Sequence, residues 1–329
     1  MRLPRFEYLE PKDVKEASSF LSEKKEGAAI CAGGTDILVK MKQRVVTPKY
    51  LVNLKHVGDM MGLEFDEKKG LKIGALATLE DLSKSLPVKE RFPALSQAAG
   101  RAASPQIRNM GTIGGNICID SMCWYYNQSH QWRKSMLPCF KRGGDRCYVA
   151  KGSKNCCALF QADTPPALIA LGAQVKVVGS GKERVIGIEE LYSQKGEGAN
   201  TLGPAEFVKE LLIPTPPKNS GGAYLRLSQR EAIDFPIVGA ASQLSLADGK
   251  CKDVRIALTA VASGPVRVNE AEAVLSGNSI TDDLVEKASE AAQEKIRPMP
   301  HMGVSAWYKR KLIRVLVKRS LQQAWKMAK

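Results

Sequence analysis

Five cysteines fall within a few dozen residues: Cys123, Cys139, Cys147 and Cys156, spaced C-x15-C-x7-C-x8-C, and Cys157 beside the last. Four thiolates bind tetrahedral zinc or an iron–sulfur cluster. Structural zinc usually draws close pairs about two to four residues apart, whereas cluster ligands tolerate wide separations because a larger inorganic core can be held by a wrapped loop. Spacing leaves both open, beside a third reading in which the thiols are unliganded in a disordered insertion. Six aromatics (Trp124, Tyr125, Tyr126, Trp132, Phe140, Tyr148) argue for a packed object rather than a solvated tail. His56, His130 and His301 show no paired spacing, which argues against a histidine metal site.

Two glycine turns carry the other chemistry. AGGTD at 32–36 and GTIGGN at 111–116 each set adjacent glycines between a hydrophobic run and a polar Thr or Asn. Without side chains, such residues let backbone N–H groups approach phosphate oxygens. Together they can clasp a pyrophosphate from two sides, although a plain pair of tight turns is the other reading of the same residues. Neither is a GxGxxG or a Walker loop.

The elements that must position these turns read as a mixture. Val14, Ala17, Phe20 and Leu21 recur at helical spacing, AAICAGGTD reads as a buried strand entering a turn, and TDILVKMKQ as a helix. KYLVNLK and KIGAL follow as strands. Thr78 and Asp81 suggest a capping box before LEDLSKSL, FPALSQAAGRAA reads as a helix, and TPPALIALGAQ as a helix with prolines in its first turn. Five further strand patterns run from AQVKVVG to VRIALTAVAS, and the last part turns helical. The class is α+β, with 1–57 as an N-terminal lobe, 58–216 as a second lobe containing an insertion at 121–161, and 217–329 as a C-terminal domain of sheet plus helices.

At 329 residues the chain has enough core to need no disulfide staples. MRLPRFEYLEPKD lacks the apolar run of a secretory signal, and no stretch is apolar enough to span a bilayer, so a cytoplasmic protein without a membrane role is expected. In a reducing compartment, clustered cysteines favour metal or catalysis over disulfides. The net charge of +15 permits an anionic partner without choosing one. A basic zinc protein binding nucleic acid is the distant alternative, and no recognition motif supports it. The basic terminal segment SAWYKRKLIRVLVKRSLQQAWKMAK is read as an amphipathic helix packing on a sheet.

AICAGGTDILVKMK, IGALATLEDL, SPQIRNMGTIGGNICID, DTPPALIALGA, YLRLSQREAIDFPIVGAA and GPVRVNEAEAVLSG resemble, in order and spacing, the flavin-binding subunits of the molybdenum hydroxylase family. The resemblance covers nearly the whole chain. It implies FAD in a two-lobed vanillyl-alcohol-oxidase/p-cresol-methylhydroxylase-like fold with a C-terminal α+β domain. Ala32, Gly33, Gly34, Thr35, Asp36 and Ile37 would form one side of the clasp; Thr112, Gly114, Gly115 and Asn116 the other; Ala102, Ala103, Ser104 and Ile107 the approach. Asp163 would meet ribityl or ribose hydroxyls, and Arg226 would lie near the flavin ring, where a cation stabilises the reduced anion. No residue is catalytic beyond electron transfer.

The insertion narrows the resemblance to the 4-hydroxybenzoyl-CoA reductase β subunits of anaerobic aromatic degradation. That implies a [4Fe–4S] cluster on Cys123, Cys139, Cys147 and Cys156, with electrons passing from a ferredoxin-like donor through cluster and FAD to partner subunits bearing a two-iron cluster and molybdopterin, in a dimer of heterotrimers. The insertion carries seven basic residues against one acid, Asp145, a charge that would raise the potential of an anionic cluster and steer an acidic carrier. The closest alternative is the flavin subunit of a molybdenum hydroxylase that oxidises another aromatic or heterocyclic substrate, with the cluster used for output.

Overall fold

Asp13 ends the extended entry to the chain by accepting a hydrogen bond from the Glu16 N–H at 2.8 Å, and the helix Val14–Lys24 follows with Ala17 and Leu21 buried. In a computed structural model describing residues 2–301 and 303–329, this helix covers a three-stranded parallel sheet. The central strand is Tyr50–Asn53, flanked by Glu7–Leu9 and Ala28–Cys31. The helix Ile37–Lys42 makes the crossover from Ala28–Cys31 to Tyr50–Asn53. Residues 32–36 therefore leave the carboxyl end of a parallel strand, the position at which open α/β sheets bind ligands.

The second lobe is a five-stranded antiparallel sheet ordered Leu63–Asp66, Gly70–Gly74, Glu206–Ile213, Gln174–Gly179, Lys182–Gly187. Its two outer strands, and Glu7–Leu9 in the first lobe, escape the sequence reading because they are short, charged edges lacking a run of alternating apolar residues. Thr78 forms the expected capping box with Asp81 on the helix Leu79–Lys84. Pro93–Arg101 and Thr164–Ala170 begin with proline in the first turn, where no intrahelical N–H is lost.

The C-terminal sheet pairs Ser220–Leu227, Val238–Ala247, Lys250–Thr259 and Val266–Arg267 as antiparallel neighbours. Helices Asn269–Leu275, Asp282–Lys295 and Ala306–Ala328 cover one face. The last of these buries Leu312, Ile313, Leu316, Val317 and Leu321 in that core, so its apolar stripe is packing surface. No described helix is long and apolar enough to cross a membrane. Ala94, Ala98, Ala167 and Ala170 meet Tyr224 and Ala241, and these small residues let the second lobe's helices close on the C-terminal sheet.

A titratable pair, half-buried His301 and buried Lys309, sits at the start of the last helix. Lys309 donates from Nζ to the carbonyls of Ala260 (2.7 Å) and Met299 (3.1 Å), and burial pushes its ammonium down to about 8. Burial, then the Lys309 charge, pushes His301 from 6.5 to about 4. A base with a depressed folded pKa leaves the unfolded chain binding more protons between those values, so stability falls as pH drops from 6.5 towards about 4. Urea midpoints across that range should show this slope, and His301→Gln should flatten it.

Candidate functional site

A cavity of ≈ 610 Å³ opens between the two N-terminal lobes and reaches the C-terminal domain at Ile233, Asp234 and Phe235, in the loop between the strands Ser220–Leu227 and Val238–Ala247, and its size lies within the roughly 300–1,000 Å³ typical of cofactor sites. Ala32, Gly33, Gly34, Thr35, Asp36 and Ile37 line one wall. Among the described residues, the N–H groups of Gly33, Gly34, Thr35 and Asp36 donate to no backbone acceptor, leaving a row of donors suited to an anion. Gly34 holds φ +75, a conformation that glycine adopts without strain. A Cβ on Gly33 would lie 1.8 Å from the Met110 carbonyl oxygen, so this arm rests directly on the backbone of the other. Sequence reasoning passed over Lys40, which also lines the cavity and pairs with Asp36 at 2.6 Å.

Thr112, Gly114, Gly115 and Asn116 line the facing wall. Thr112 caps the short helix Ile113–Ile117 by accepting from the Gly115 N–H at 3.1 Å. Bonds from Leu79 N–H to the Gly111 carbonyl and from Ile113 N–H to the Ala77 carbonyl, both 2.9 Å, sew this turn to the capped helix. The Asn116 Oδ1 accepts from Thr164 Oγ1 at 2.6 Å, so its amide nitrogen remains for a ligand. Ala102, Ala103 and Ile107 line the approach, whereas Ser104 is buried as the helix cap that accepts from the Ile107 N–H. The cavity mouth carries a feature that no local pattern announced: Ala103 at φ +49 accepts from the N–H of Ile233 at φ +54, at 2.9 Å. Positive φ is costly for a β-branched residue, and such strain concentrates at functional sites.

Asp163 lines the cavity but does not stand alone. Its Oδ1 accepts from the Tyr224 hydroxyl (2.7 Å) and from Arg226 Nη1 (3.0 Å), and Oδ2 accepts from the same nitrogen at 3.1 Å. Burial pushes the Asp163 carboxyl up, against the pull of Arg226 and Tyr224. Arg226 was expected beside the flavin ring. Instead it is absent from the cavity wall, and its charge is spent on Asp163.

The insertion is packed, as its aromatics suggest. Backbone bonds between Met122 and Leu159 pin its ends, and Tyr125 stacks near Tyr148 and Trp132. Buried Arg133 ties it to the first lobe through the carbonyls of Gln43 (3.1 Å) and Arg44 (2.8 Å). Cys123, Cys139, Cys147, Cys156 and Cys157 all line one small cavity of ≈ 10 Å³. Burial opposes the Cys147 thiolate, but N–H groups of Ala150, Cys157 and Val149, with the Cys157 thiol, outweigh it and pull Cys147 below its ordinary value. Burial pushes Cys123 up against the N–H groups of Tyr125 and Tyr126, and pushes Cys156 up to about 11 against that of Ala158. No group of three His, Cys, Asp or Glu side chains that could hold a metal ion occurs among the described residues. The expectation of a ready-made ligand set on Cys123, Cys139, Cys147 and Cys156 is thereby corrected: the fold brings the thiols to one cavity without converging them on one point.

Comparison with known proteins agrees with this architecture. Residues 4–216 match the family described as the FAD binding domain in molybdopterin dehydrogenase, and residues 223–324 match the CO dehydrogenase flavoprotein C-terminal domain. The chain is 29% identical over 324 residues to the carbon monoxide dehydrogenase medium chain of Afipia carboxidovorans, covering 98% of each. It is 29% identical over 325 residues to the 6-hydroxypseudooxynicotine dehydrogenase complex subunit alpha of Paenarthrobacter nicotinovorans, covering 98% of this chain and 96% of that one. Among solved structures, carbon monoxide dehydrogenase from Hydrogenophaga pseudoflava superposes with a TM-score of 0.82 at 29% identity, covering 99% of each chain.

These relatives are named for oxidations. The expected reductive role in a 4-hydroxybenzoyl-CoA reductase of anaerobic aromatic degradation, with electrons entering from a low-potential donor, is overturned by them, and the oxidative alternative replaces it. The free N–H row, the side-chain-free cradle and the cavity's size fit a dinucleotide flavin. With both halves matched in order, the chain belongs to the family of FAD-binding subunits of molybdopterin dehydrogenases, and is an oxidoreductase subunit.

Proposed function

We propose that this chain is the flavin-carrying electron-transfer subunit of a molybdenum hydroxylase that oxidises an aromatic or heterocyclic substrate held on a partner subunit. The observation that carries this reading is the two-armed cradle with its unpaired N–H row at residues 33–36. The relatives support a molybdopterin-bearing large subunit and a small iron–sulfur subunit as partners. Bound FAD supplies the exchange between two-electron and one-electron carriers. Gly33 to Asp36 would hold the diphosphate from one side and Thr112 to Asn116 from the other. Asp163 Oδ2 accepts only from Arg226, so it retains capacity to accept from a ribityl or ribose hydroxyl.

A finer reading concerns the cysteine pocket, as the seat of a [4Fe–4S] group used for output. Support comes from five thiols on one cavity with backbone N–H groups directed at their sulfurs, the contacts that tune thiolate-held clusters. Cys123, Cys139, Cys147 and Cys156 would be the ligands and Cys157 a neighbour. The cavity they line is small, so the loop would have to open for these thiols to hold an inorganic core. Exposed Lys134, Arg146, Lys151 and Lys154 would then steer an acidic one-electron acceptor to the insertion.

Anaerobic purification of the full chain tests both readings. One FAD per chain is expected, with about four iron and four labile sulfide in the cluster reading. Cys139→Ser and Cys147→Ser should lose iron and keep flavin. A chain without flavin sinks the first reading; one with flavin and without iron sinks only the second. For direction, the assembled complex should reduce a one-electron dye when given an oxidisable heterocycle, and failure to do so with flavin and molybdenum in place would refute it.

A further inference from the structure

The wall of the large cavity is acidic. Among the described residues that line it, Asp36, Asp120, Asp163, Glu206 and Asp234 are carboxylates, and Lys40 alone is a lysine or arginine. Three of those acids are paired with cations that do not line the cavity: Asp120 with Lys141, Asp163 with Arg226 and Glu206 with Arg184, each at 3.0 Å. Those cations are committed to their carboxylates. Asp234 accepts from the N–H groups of Arg230 (2.9 Å) and Phe235 (3.0 Å). A doubly charged diphosphate entering this cavity meets more carboxylates than cations, and Lys40 is the one lining residue that can oppose the repulsion with a full positive charge.

Lys40 sits on the helix Ile37–Lys42, one turn after Asp36, and its Nζ lies 2.6 Å from Asp36 Oδ2. Asp36 is also the residue whose N–H ends the unpaired row at 33–36, so the ammonium is fixed beside the diphosphate arm. The Lys40 side chain is 11% exposed, against 39% for Asp36. A pair kept only to support a helix has no need to bury its lysine, because burial costs more than an exposed i,i+4 pair returns. An ammonium carries three donors, and Asp36 is its one ion-pair partner among the described residues. We propose that Lys40 is a cofactor-binding residue whose ammonium, held by Asp36, donates to the diphosphate of the flavin dinucleotide. This rests on the reading that the cavity holds FAD. Asp36 takes one donor and fixes the group, and the remaining donors meet phosphate oxygens in charge-assisted hydrogen bonds. The N–H groups at 33–36 supply direction, and Lys40 supplies charge.

Fluorescence titration of the stripped full chain with FAD reads the contact without turnover. Lys40→Met should weaken binding about tenfold to a hundredfold, the loss expected of one charge-assisted hydrogen bond, and Lys40→Arg, which keeps the charge, should recover most of it. Methionine suits the buried stem, and half-exposed Asp36 can turn to water, so the fold should persist, which an unchanged melt verifies. Lys40→Gln is a second charge-free variant. The double variant Asp36→Asn with Lys40→Met separates the two roles of the ammonium. Persistent weakening there supports the contact, whereas wild-type affinity overturns it by reducing Lys40 to the counterion of Asp36. At saturating FAD, the phosphorus-31 resonances of the bound diphosphate should move in Lys40→Met while the visible flavin spectrum stays; unmoved resonances also overturn the proposal. Failure of both charge-free variants to fold counts against it by making Lys40 structural. A wild-type chain that binds no FAD is seen before any variant is made and removes the cofactor reading itself, whereas wild-type affinity in Lys40→Met removes only this contact.

Discussion

Gly33→Ala is expected to weaken FAD retention about tenfold to a hundredfold, because an inserted methyl in a packed contact costs about 1–3 kcal/mol and each 1.4 kcal/mol is about a factor of ten. The added Cβ would meet the Met110 carbonyl oxygen at 1.8 Å and its carbon at 2.6 Å. Neither is the far end of a flexible side chain. Backbone must move, and the segment that moves leads into Gly111, whose carbonyl accepts from the Leu79 N–H. Displacement of one arm is therefore transmitted to the other, and the clasp loses its facing geometry. Gly58→Ala is the control: nothing lies within 4 Å of a Cβ there, and flavin content should be unchanged. Flavin per chain after gel filtration, with fluorescence titration of the stripped protein, measures both variants. Wild-type affinity in Gly33→Ala would mean that the arms do not form one site.

The glycine arms were legible because adjacent glycines beside Thr or Asn have few structural uses, and the capping box at Thr78 because its two partners are three residues apart. Contacts across the fold were not. Residues 163 and 226 belong to different units, and no periodicity says that the carboxylate and the guanidinium will be spent on each other. Ile233 carries no mark of its φ, and its bond to Ala103 joins it to a distant segment. For the cysteines, spacing foretold a gathering but not its geometry, since loop residues whose backbone follows no repeat can bring sulfurs near without aiming them at one ion. The direction of electron flow was misread for a different reason. It depends on potentials and on which partner reacts, and neither is written in ligand spacing.

The Asp163–Arg226 pair should dominate the stability of the flavin-free chain. Their side chains are 5% and 3% exposed, and removing one partner of such a pair costs about 3–5 kcal/mol because the survivor is left charged and buried. Asp163→Asn and Arg226→Met should each show that loss in denaturant melts. Tyr224→Phe, which deletes one hydrogen bond, should cost about 1–3 kcal/mol, the lower figure if Arg226 alone can satisfy the carboxylate. Arg226 Nη2 is buried and has no hydrogen-bond partner among the described protein residues. The double variant Asp163→Asn with Arg226→Met should recover most of the loss, since replacing both charges removes the uncompensated one. Single variants within 1 kcal/mol of wild type would refute this account. The double variant also separates structure from ligand binding. If stability returns while FAD affinity does not, the carboxylate contacts the cofactor; if both return, the pair serves only to bolt the C-terminal sheet to the cavity wall.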